Sequence, residues 1–348
     1  MKSKKLREIT YAEAISEGSY IAMERDDRIF IMGIGADYTS KMFGTTTAPY
    51  EKFGKERVFD VPAMENALTG MAVGAAIMGK IPMVVHYRND FMFLSLDALI
   101  NLASKWQYMF DGNAGNVPMV VRGVVGRGWG QGATHSQSIH ATLAHYPGLN
   151  VIAPYSASDA KGMLISALEQ TTPVVIIEHR SLFNVEGPVD QGYAPKPLIG
   201  ANIVKAGNDV TLIGISQGVE VIIEAANILD KLGISAEVID IRSVRPLDKN
   251  TIVKSSLRTR NCVIVDSSWV SFGVSAEIAA VIAESSASKH ISIVRLGATE
   301  IPAPASQHLE SHYYPTSQAV LGAVSKILDI DLKFDDFLVR KDTFMGPY

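Results

Sequence analysis

The chain has 348 residues, of which 47% are hydrophobic and 20% are charged, and its formal net charge is -4. That length is typical of about two domains, and the apolar content is ample for a core in each. The slight negative charge, with Lys and Arg scattered along the chain, argues against a nucleic-acid-binding protein. No apolar run reaches the length of a membrane span, and no apolar signal-peptide core follows the lysines near the start of the chain. We therefore expect a cytoplasmic protein.

Cysteine usage agrees with that compartment. Cys262 is the only cysteine, and it lies within an apolar, strand-like run. Disulfides within the chain and cysteine-based metal sites are thereby excluded, and a reducing compartment is expected. We interpret Cys262 as a thiol of the core.

Apolar strands and helices alternate along the first half of the sequence. Strands are predicted over residues 29–34, 58–61, 83–85, 119–125, 151–153 and 174–178, and helices over 8–25, 50–53, 65–78, 94–110 and 158–169. Such alternation predicts an α/β fold with a doubly wound, mostly parallel sheet. Ligands of these sheets bind outside the carboxyl ends of the strands. Glu65, Phe91 and His135 each follow a predicted strand, which makes them candidates for a site.

A second alternating series follows a stretch rich in proline and glycine. Residues 181–201 hold three prolines and three glycines with little periodicity, which predicts a linker. Beyond it, strands are predicted over 210–214, 236–241, 262–266 and 291–296, and helices over 217–232, 248–258, 274–285 and 316–329. The pattern therefore predicts two doubly wound domains, followed by a tail.

Glu65 is a lone acidic residue at the start of an otherwise apolar predicted helix. Pro62 ends the preceding strand, and the helix begins around Glu65. The carboxylate could carry chemistry in a dry setting, or it could simply complement the positive end of the helix. This stretch by itself does not separate the two interpretations.

A glycine-rich loop precedes His135. Residues 126–138 contain four glycines followed by a polar cluster, but no phosphate-loop Gly-Lys-Ser/Thr. Such a loop can approach a ligand closely or move as a lid. His135 stands at a predicted helix start, where partial positive charge and burial would both lower its pKa. It is thus either a neutral proton carrier or a histidine that merely bonds the backbone.

Histidine spacing does not predict a metal site. His140 and His145 are five residues apart, which does not place them on one helix face. His308 and His312 are four apart, but no third ligand accompanies them. We assign no metal ligand to this chain.

Three segments together resemble one protein family. They are Phe-Asp-Val-Pro-Ala-Met-Glu at residues 59–65, the segment from His-Ser-Gln-Ser to Tyr-Pro-Gly-Leu at 135–149, and Val-Ile-Asp-Ile-Arg-Ser-Val-Arg-Pro-Leu-Asp at 238–248. They resemble the beta subunit of thiamine-diphosphate-dependent 2-oxo acid dehydrogenase first components, of the pyruvate, branched-chain and acetoin types in the transketolase-like superfamily. Further agreement at 159–162 and 272–278, in the same order, extends the resemblance over about residues 8–330.

The resemblance implies a domain assignment. Residues 1–190 would form a pyrimidine-binding domain of the thiamine diphosphate fold, and residues 191–201 a linker. Residues 202–330 would form a transketolase C-terminal domain, followed by a tail over 331–348.

It also implies roles for four residues. Glu65 matches the family glutamate that hydrogen-bonds the aminopyrimidine ring nitrogen of thiamine diphosphate. That hydrogen bond promotes the proton shift by which the cofactor is activated. Phe91 matches an aromatic residue that stacks on the pyrimidine, and Tyr87 flanks it. His135 matches a histidine that assists proton transfer during acyl transfer to lipoamide.

An absence implies a partner chain. The family holds the diphosphate through Mg²⁺ with a Gly-Asp-Gly segment and a later Asn-Asn element, and this sequence has neither. Asp111-Gly112-Asn113 only superficially resembles the first of them, because it lies in a predicted helix-to-strand turn. The resemblance therefore implies an alpha subunit that holds most of the magnesium site, in an α2β2 heterotetramer.

Some positions depart from the family pattern. Met64 replaces a common serine, and Gln170 and Thr172 replace an aspartate and an asparagine of a potassium-binding turn. The potassium site is accordingly in doubt. Residues 267–271, Ser-Ser-Trp-Val-Ser, also replace a more usual segment, so contacts to partners or acyl carriers are expected to differ.

Three functions remain open at this point. The leading prediction is oxidative decarboxylation of a 2-oxo acid with acyl transfer to a lipoyl-bearing acyltransferase. The alternative is a two-chain transketolase-like or acyloin-forming enzyme without a lipoyl acceptor, and only acceptor use separates the two. A non-catalytic scaffolding subunit is a third hypothesis, against which Glu65, Phe91 and His135 argue.

Overall fold

The computed structural model describes residues 6–38, 43–126, 130–286 and 290–334, and the chain divides into two compact units. The N-terminal unit contains residues up to 126 and residues 142–198, whereas the C-terminal unit contains residues 127–141 and continues from residue 199. Within the described ranges, no helix is both long and apolar enough to cross a membrane.

The N-terminal unit is built on a parallel sheet. Its strands are β1 (Leu6–Thr10), β2 (Ile29–Gly33), β3 (Val58–Phe59), β4 (Ile81–His86), β5 (Val120–Val125), β6 (Asn150–Ile152), β7 (Val174–His179) and β8 (Glu186–Asp190). In the sheet the order is β6-β7-β5-β4-β2-β3, and each neighbouring pair is parallel. Every residue of β4, β5 and β7 is buried, as expected for parallel strands covered on both faces.

Helices alternate with these strands along the chain. They are α1 (Tyr11–Arg25), α2 (Thr47–Phe53), α3 (Glu65–Ile77), α4 (Trp106–Met109), α5 (His140–Ala144) and α6 (Ala157–Leu168), of which α5 begins in the 127–141 segment. Tyr11, Ile15, Met163 and Leu164 pack with strand residues into one apolar core. The predicted alternation of strands and helices is therefore confirmed for this unit.

Two predicted elements of the N-terminal unit are wrong in part. The helix predicted over 8–25 begins only at Tyr11, because Thr10 caps it and forms a capping box with Glu13. Residues 6–10 form β1, which pairs antiparallel with β8. That second strand lies within residues 181–201, which we predicted to lack regular structure.

The long helix predicted over residues 94–110 is also wrong. The segment consists of a 3-10 helix (Asn89–Ser95), a π-helix (Asp97–Ala103) and the single turn of α4. Ser95 is fully buried, and its hydroxyl donates to the backbone oxygen of Glu65 at 3.1 Å. The tighter 3-10 turn places that hydroxyl against α3, a constraint that the apolar periodicity does not reveal.

The C-terminal unit has its own sheet. The strands of this unit are β9 (Asn202–Lys205), β10 (Val210–Gly214), β11 (Ala236–Asp240), β12 (Ser243–Arg245), β13 (Asn261–Trp269) and β14 (Ser292–Ala298), of which β12 is not part of that sheet. The sheet order is β14-β13-β10-β11-β9, in which only β9 is antiparallel to its neighbour. Its helices are α7 (Gly218–Lys231), α8 (Lys249–Thr259), α9 (Val274–Ser285), α10 (Gln307–Glu310) and α11 (Ser317–Leu328).

Caps and apolar faces account for these helices. The side chain of Asp248 accepts the Thr251 amide at the start of α8, and Thr316 does the same for Ala319 at the start of α11. Ile222 and Leu321 join the apolar core of this unit. Two α/β units with largely parallel sheets confirm the predicted fold class. Of the predicted tail, residues 335–348 lie outside the described residues.

Candidate active site

Glu65 is the first residue of α3 and is 7% exposed. Its carboxylate has no hydrogen-bond partner among the described residues, and the preceding Met64 provides no side-chain cap. The backbone oxygen of Glu65 accepts the Ser95 hydroxyl, which in turn accepts the hydroxyl of Thr69 at 2.8 Å. The start of the helix is thus fixed, while the carboxylate itself is left unengaged in a largely dry position.

Phe91 lies on the 3-10 helix that is tied to Glu65. The ring is 39% exposed, and the Phe91 amide donates to the backbone oxygen of Arg88 at 3.3 Å. Ser95, at the end of the same 3-10 helix, makes the hydrogen bond to Glu65. The turn therefore brings an exposed aromatic ring and an unengaged carboxylate to the same part of the N-terminal unit.

Tyr87 is held more firmly than the other candidates. Its hydroxyl lies 3.3 Å from the Thr46 hydroxyl, and its ring centroid lies 5.7 Å from that of Phe43. Burial raises the pKa of Tyr87 above its ordinary value. The phenol is thus neutral and packed within the N-terminal unit, and its contact with a cofactor stays a prediction.

Buried charged groups on β5 and β7, and just after β7, were not predicted from the sequence. Arg122 and Glu178 form a two-pronged ion pair with N–O distances of 2.6 and 2.9 Å, and both side chains are fully buried. In the sequence, this pair is indicated by one charged residue, Arg122, inside the apolar run that forms β5. Burial, with the nearby charge of Arg88, lowers the pKa of Arg180 to about 9.

His86, the last residue of β4, is likewise buried. Among the described residues its Nε2 has no hydrogen-bond partner. Burial lowers the pKa of His86 to about 4, so the imidazole is neutral in the folded chain at ordinary pH.

His135 lies in the segment assigned to the C-terminal unit, whereas Glu65, Phe91 and Tyr87 belong to the N-terminal unit. It follows a short 3-10 helix (Gly132–Thr134), and its Nδ1 lies 2.9 Å from the Thr134 hydroxyl. The next helix begins at His140, five residues later. The predicted helix start at His135 is therefore wrong, and the helix-terminus argument for a neutral ring does not apply. Residues 127–129 of the glycine-rich loop lie outside the described residues.

The remaining histidines do not assemble a metal centre. The rings of His308 and His312 contact each other edge to face at 5.4 Å. Within the ranges that the structure covers, no group of three potential ligands from His, Cys, Asp or Glu is suitably placed for a metal ion. His140 instead pairs with Asp266, 126 residues later in the chain, with Nε2 and Oδ2 at 2.9 Å. Sequence spacing gave no signal for that pair.

Comparison with protein families divides the chain near residue 190, as its fold does except for residues 127–141. Residues 7–186 match the pyrimidine-binding domain of transketolase, and residues 200–320 match the transketolase C-terminal domain. Together these two matches span most of the 348 residues.

Characterised relatives align along nearly the whole chain. The chain is 37% identical to the pyruvate dehydrogenase E1 component subunit beta, mitochondrial, of Caenorhabditis elegans, over 92% of this chain and 93% of that protein. It is 35% identical to the pyruvate dehydrogenase E1 component subunit beta of Rickettsia felis, over 92% of this chain and 98% of that protein.

A solved structure shares the fold. The inactive beta4 tetramer of a split-gene transketolase superposes with a TM-score of 0.73, covering 92% of this chain and 99% of that one, at 24% sequence identity. At that identity the likeness establishes the fold alone. The relatives and the two family matches confirm the resemblance found in the motifs. The chain therefore belongs to the family of beta subunits of thiamine-diphosphate-dependent 2-oxo acid dehydrogenase first components.

Proposed function

We propose that this chain is the beta subunit of an α2β2 heterotetramer that decarboxylates a small 2-oxo acid oxidatively. In this proposal thiamine diphosphate is the cofactor and the acyl group passes to a lipoyl carrier. The names of the relatives support it. The observation that carries it is the carboxylate of Glu65, buried at the start of α3 with no partner among the described residues.

The residues of the N-terminal unit fit the pyrimidine ring of thiamine diphosphate. An aromatic nitrogen that shares a proton needs a carboxyl group that no other side chain engages, and Glu65 meets that requirement. A flat ring also needs an accessible aromatic face, and Phe91 is exposed on the turn that is bonded to Glu65. Tyr87 packs against Phe43 in the same unit, and we assign it a position beside Phe91.

When bound, thiamine diphosphate supplies a carbon nucleophile for the 2-oxo carbon and accepts the electron pair that decarboxylation releases. Glu65 holds the proton at the pyrimidine nitrogen in a position from which water is largely excluded. Phe91 orients the ring by stacking. His135 moves a proton during acyl transfer, and the Thr134 hydroxyl beside its Nδ1 sets the orientation of the imidazole.

A partner chain is part of the proposal. The family's magnesium-binding segments are missing from this sequence. An alpha subunit therefore provides most of the Mg²⁺ and diphosphate site, and a lipoyl-bearing acyltransferase accepts the product. We place the assembly in the cytoplasm, which suits a single, buried cysteine.

We also propose the domain boundaries within this assembly. Residues 1–190 form the pyrimidine-binding domain and residues 202–330 the C-terminal domain, joined by 191–201 and followed by the tail 331–348. Family matches over 7–186 and 200–320 support that division.

The test is an activity assay of this chain co-expressed with a candidate alpha subunit, in the presence of thiamine diphosphate and Mg²⁺. A panel from pyruvate to branched-chain 2-oxo acids is oxidised with an artificial electron acceptor, and each chain is omitted in turn as the control. We expect turnover that needs both chains, and acyl transfer when a lipoyl domain replaces the artificial acceptor.

Two outcomes would contradict the proposal. A stable complex that binds the cofactor but oxidises no 2-oxo acid would favour the transketolase-like or acyloin-forming alternative. A complex that binds no thiamine diphosphate would favour a non-catalytic subunit.

A further inference from the structure

The segment that carries His135 is fastened to the C-terminal unit on both sides of that histidine. On the amino-terminal side, Gly130 and Gly132 have positive φ angles of 65° and 66° and pack against Ala305. A Cβ atom on Gly130 would lie 2.7 Å from the Ala305 carbonyl oxygen, so only glycine allows this close approach. The backbone that leads into His135 is therefore tightly placed.

On the carboxyl-terminal side, the same segment is bonded to β13. His140 and Asp266 are 2% and 1% exposed, and their Nε2 and Oδ2 atoms are 2.9 Å apart. The Ser268 hydroxyl donates to the Ser138 backbone oxygen at 3.2 Å, two residues before His140. Strand and segment are thus joined by a side-chain pair and by a bond to the backbone.

Asp266 is itself oriented. Its Oδ1 accepts the Ser268 amide at 3.1 Å, which leaves Oδ2 to His140. A carboxylate at this distance accepts the Nε2 proton, and the other ring nitrogen, Nδ1, has no partner among the described residues. The imidazole is therefore held by one directed bond from β13.

Stability alone does not account for such a pair. Burying a carboxylate and an imidazole costs desolvation free energy, and apolar side chains of similar volume often stabilise a protein as well or better. What the pair adds is direction, since one bond fixes the rotation of His140 and hence the path of the chain back to His135. The backbone between them is short, only four residues.

We propose that His140 and Asp266 are positioning residues for the acyl-transfer step, acting through His135. This inference rests on the proposed function, because it assigns the pair to one half of that reaction. The pair holds the 130–140 segment on β13 and Ala305, and so sets where the imidazole of His135 can carry a proton. Decarboxylation, which we assign to Glu65 and Phe91 of the N-terminal unit, does not depend on it.

The test compares three variants in the assembled enzyme. His140→Leu removes the bond, His140→Gln keeps an N–H donor of similar reach, and Asp266→Asn removes the charge but keeps the shape. His145→Leu is the control, because His145 is an exposed histidine on the same stretch of chain. Decarboxylation with an artificial acceptor and transfer to a lipoyl domain are measured separately, and hydrogen exchange is measured over residues 130–141.

We expect His140→Leu to lower kcat for acyl transfer by about tenfold or more, with KM for the lipoyl domain and the decarboxylation rate within about twofold of wild type. Amide exchange over 130–141 should rise by a similar factor, because the segment opens more readily. His140→Gln should restore both, Asp266→Asn should lie between the two, and His145→Leu should change neither.

The outcomes separate this inference from the function on which it rests. Wild-type exchange and transfer in His140→Leu would overturn the positioning role, and so would an equal loss in both half-reactions. Failure of the wild-type enzyme to use a lipoyl domain would overturn the proposed acceptor and with it the assignment of the pair to that step. If His140→Leu does not fold, the same predictions are tested by Asp266→Asn against His140→Gln.

Discussion

The strands of the two units offer a charged and an uncharged buried polar cluster for comparison. In the N-terminal unit, Arg122 of β5 and Glu178 of β7 form a fully buried ion pair between neighbouring strands, and His86 ends the next strand. In the C-terminal unit, Thr211 of β10 shares its hydroxyl with Ser255 and Thr259 at 2.7 and 2.8 Å. The pair in the first sheet consists of two charged groups, whereas these hydroxyls carry no charge.

Buried charged groups help to locate candidate catalytic residues in both units. Buried charge is costly, and in the N-terminal unit Arg122 lies on β5, which pairs with β4, the strand that precedes Phe91. In the C-terminal unit the buried His140–Asp266 pair lies on β13 and holds the segment of His135. In each unit the buried charged groups accompany a candidate site residue.

The largest effect on stability is expected from Glu178→Gln. Removal of one partner leaves the Arg122 guanidinium buried without a counter-charge, which costs about 3–5 kcal/mol. Urea unfolding, monitored by hydrogen exchange in each unit, should show this loss of unfolding free energy in the N-terminal unit. Glu186→Gln, on an exposed residue of β8, is the control. A loss below about 0.5 kcal/mol, as at ordinary surface sites, would mean that the pair does not stabilise the sheet.

The next effect is a pH dependence that His86 confers. Burial lowers the pKa of His86 from 6.5 to about 4 in the folded chain. Between these values the unfolded chain binds a proton that the folded chain does not bind, so stability is present above about pH 6.5 and falls as the pH falls. The loss should reach about 3 kcal/mol by pH 4. Unfolding measured from pH 7 to 4 should show that slope in the N-terminal unit.

Replacing His86 separates its contribution from that of other acids and bases. His86→Leu should flatten the pH slope, whereas His145→Leu, which removes an exposed histidine, should leave it unchanged. An undiminished slope in His86→Leu would assign the acid sensitivity to other groups.

A smaller effect is expected from Thr211→Val in the C-terminal unit. The Ser255 and Thr259 hydroxyls would lose a buried partner, which costs about 1–3 kcal/mol. Because no charge is involved, the loss should be the same at pH 5 and pH 8. A loss that grows in acid would remove the contrast between the two sheets. Thr211→Ser keeps the hydroxyl and serves as the matched control.

The smallest effect is expected from Phe91→Ala on cofactor binding. Loss of an offset-stacked ring is worth about 0.5–1.5 kcal/mol, or roughly a twofold to twelvefold rise in Kd for thiamine diphosphate. Calorimetry on the assembled enzyme measures it. Phe93, an exposed ring on the same 3-10 helix, provides the matched control Phe93→Ala. Equal effects of the two variants would remove the specific role of Phe91.

Local patterns in the sequence predict the buried parallel strands and the amphipathic helices well. Apolar runs mark β5 and β7, and the bounds predicted for α9 are those observed. Elements that depend on distant partners are not predictable in this way. Strand β1 exists because it pairs with β8, about 180 residues away, and residues 6–10 alone fit the helical periodicity that follows them.

The same limit applies to the candidate site. Sequence identifies Glu65 and Phe91 as residues that follow strands, but not the Ser95 hydroxyl that ties their two elements together. It rejects His140 as a metal ligand, yet it gives no sign of Asp266, because that partner comes from a strand far along the chain. A helix predicted at His135 was wrong because the loop continues to residue 139 before α5 begins.

The most direct test of the central claim is the exchange rate of the C2 proton of thiamine diphosphate bound to the assembled enzyme, measured by deuterium incorporation and acid-quench NMR in wild type and Glu65→Gln. Glu56→Gln, on an exposed acid just before β3, is the control. If Glu65 activates the cofactor, its replacement should slow exchange by about 10²–10⁴-fold while assembly and cofactor binding persist. An unchanged rate in Glu65→Gln would contradict the assignment of this carboxylate as the group on which catalysis depends.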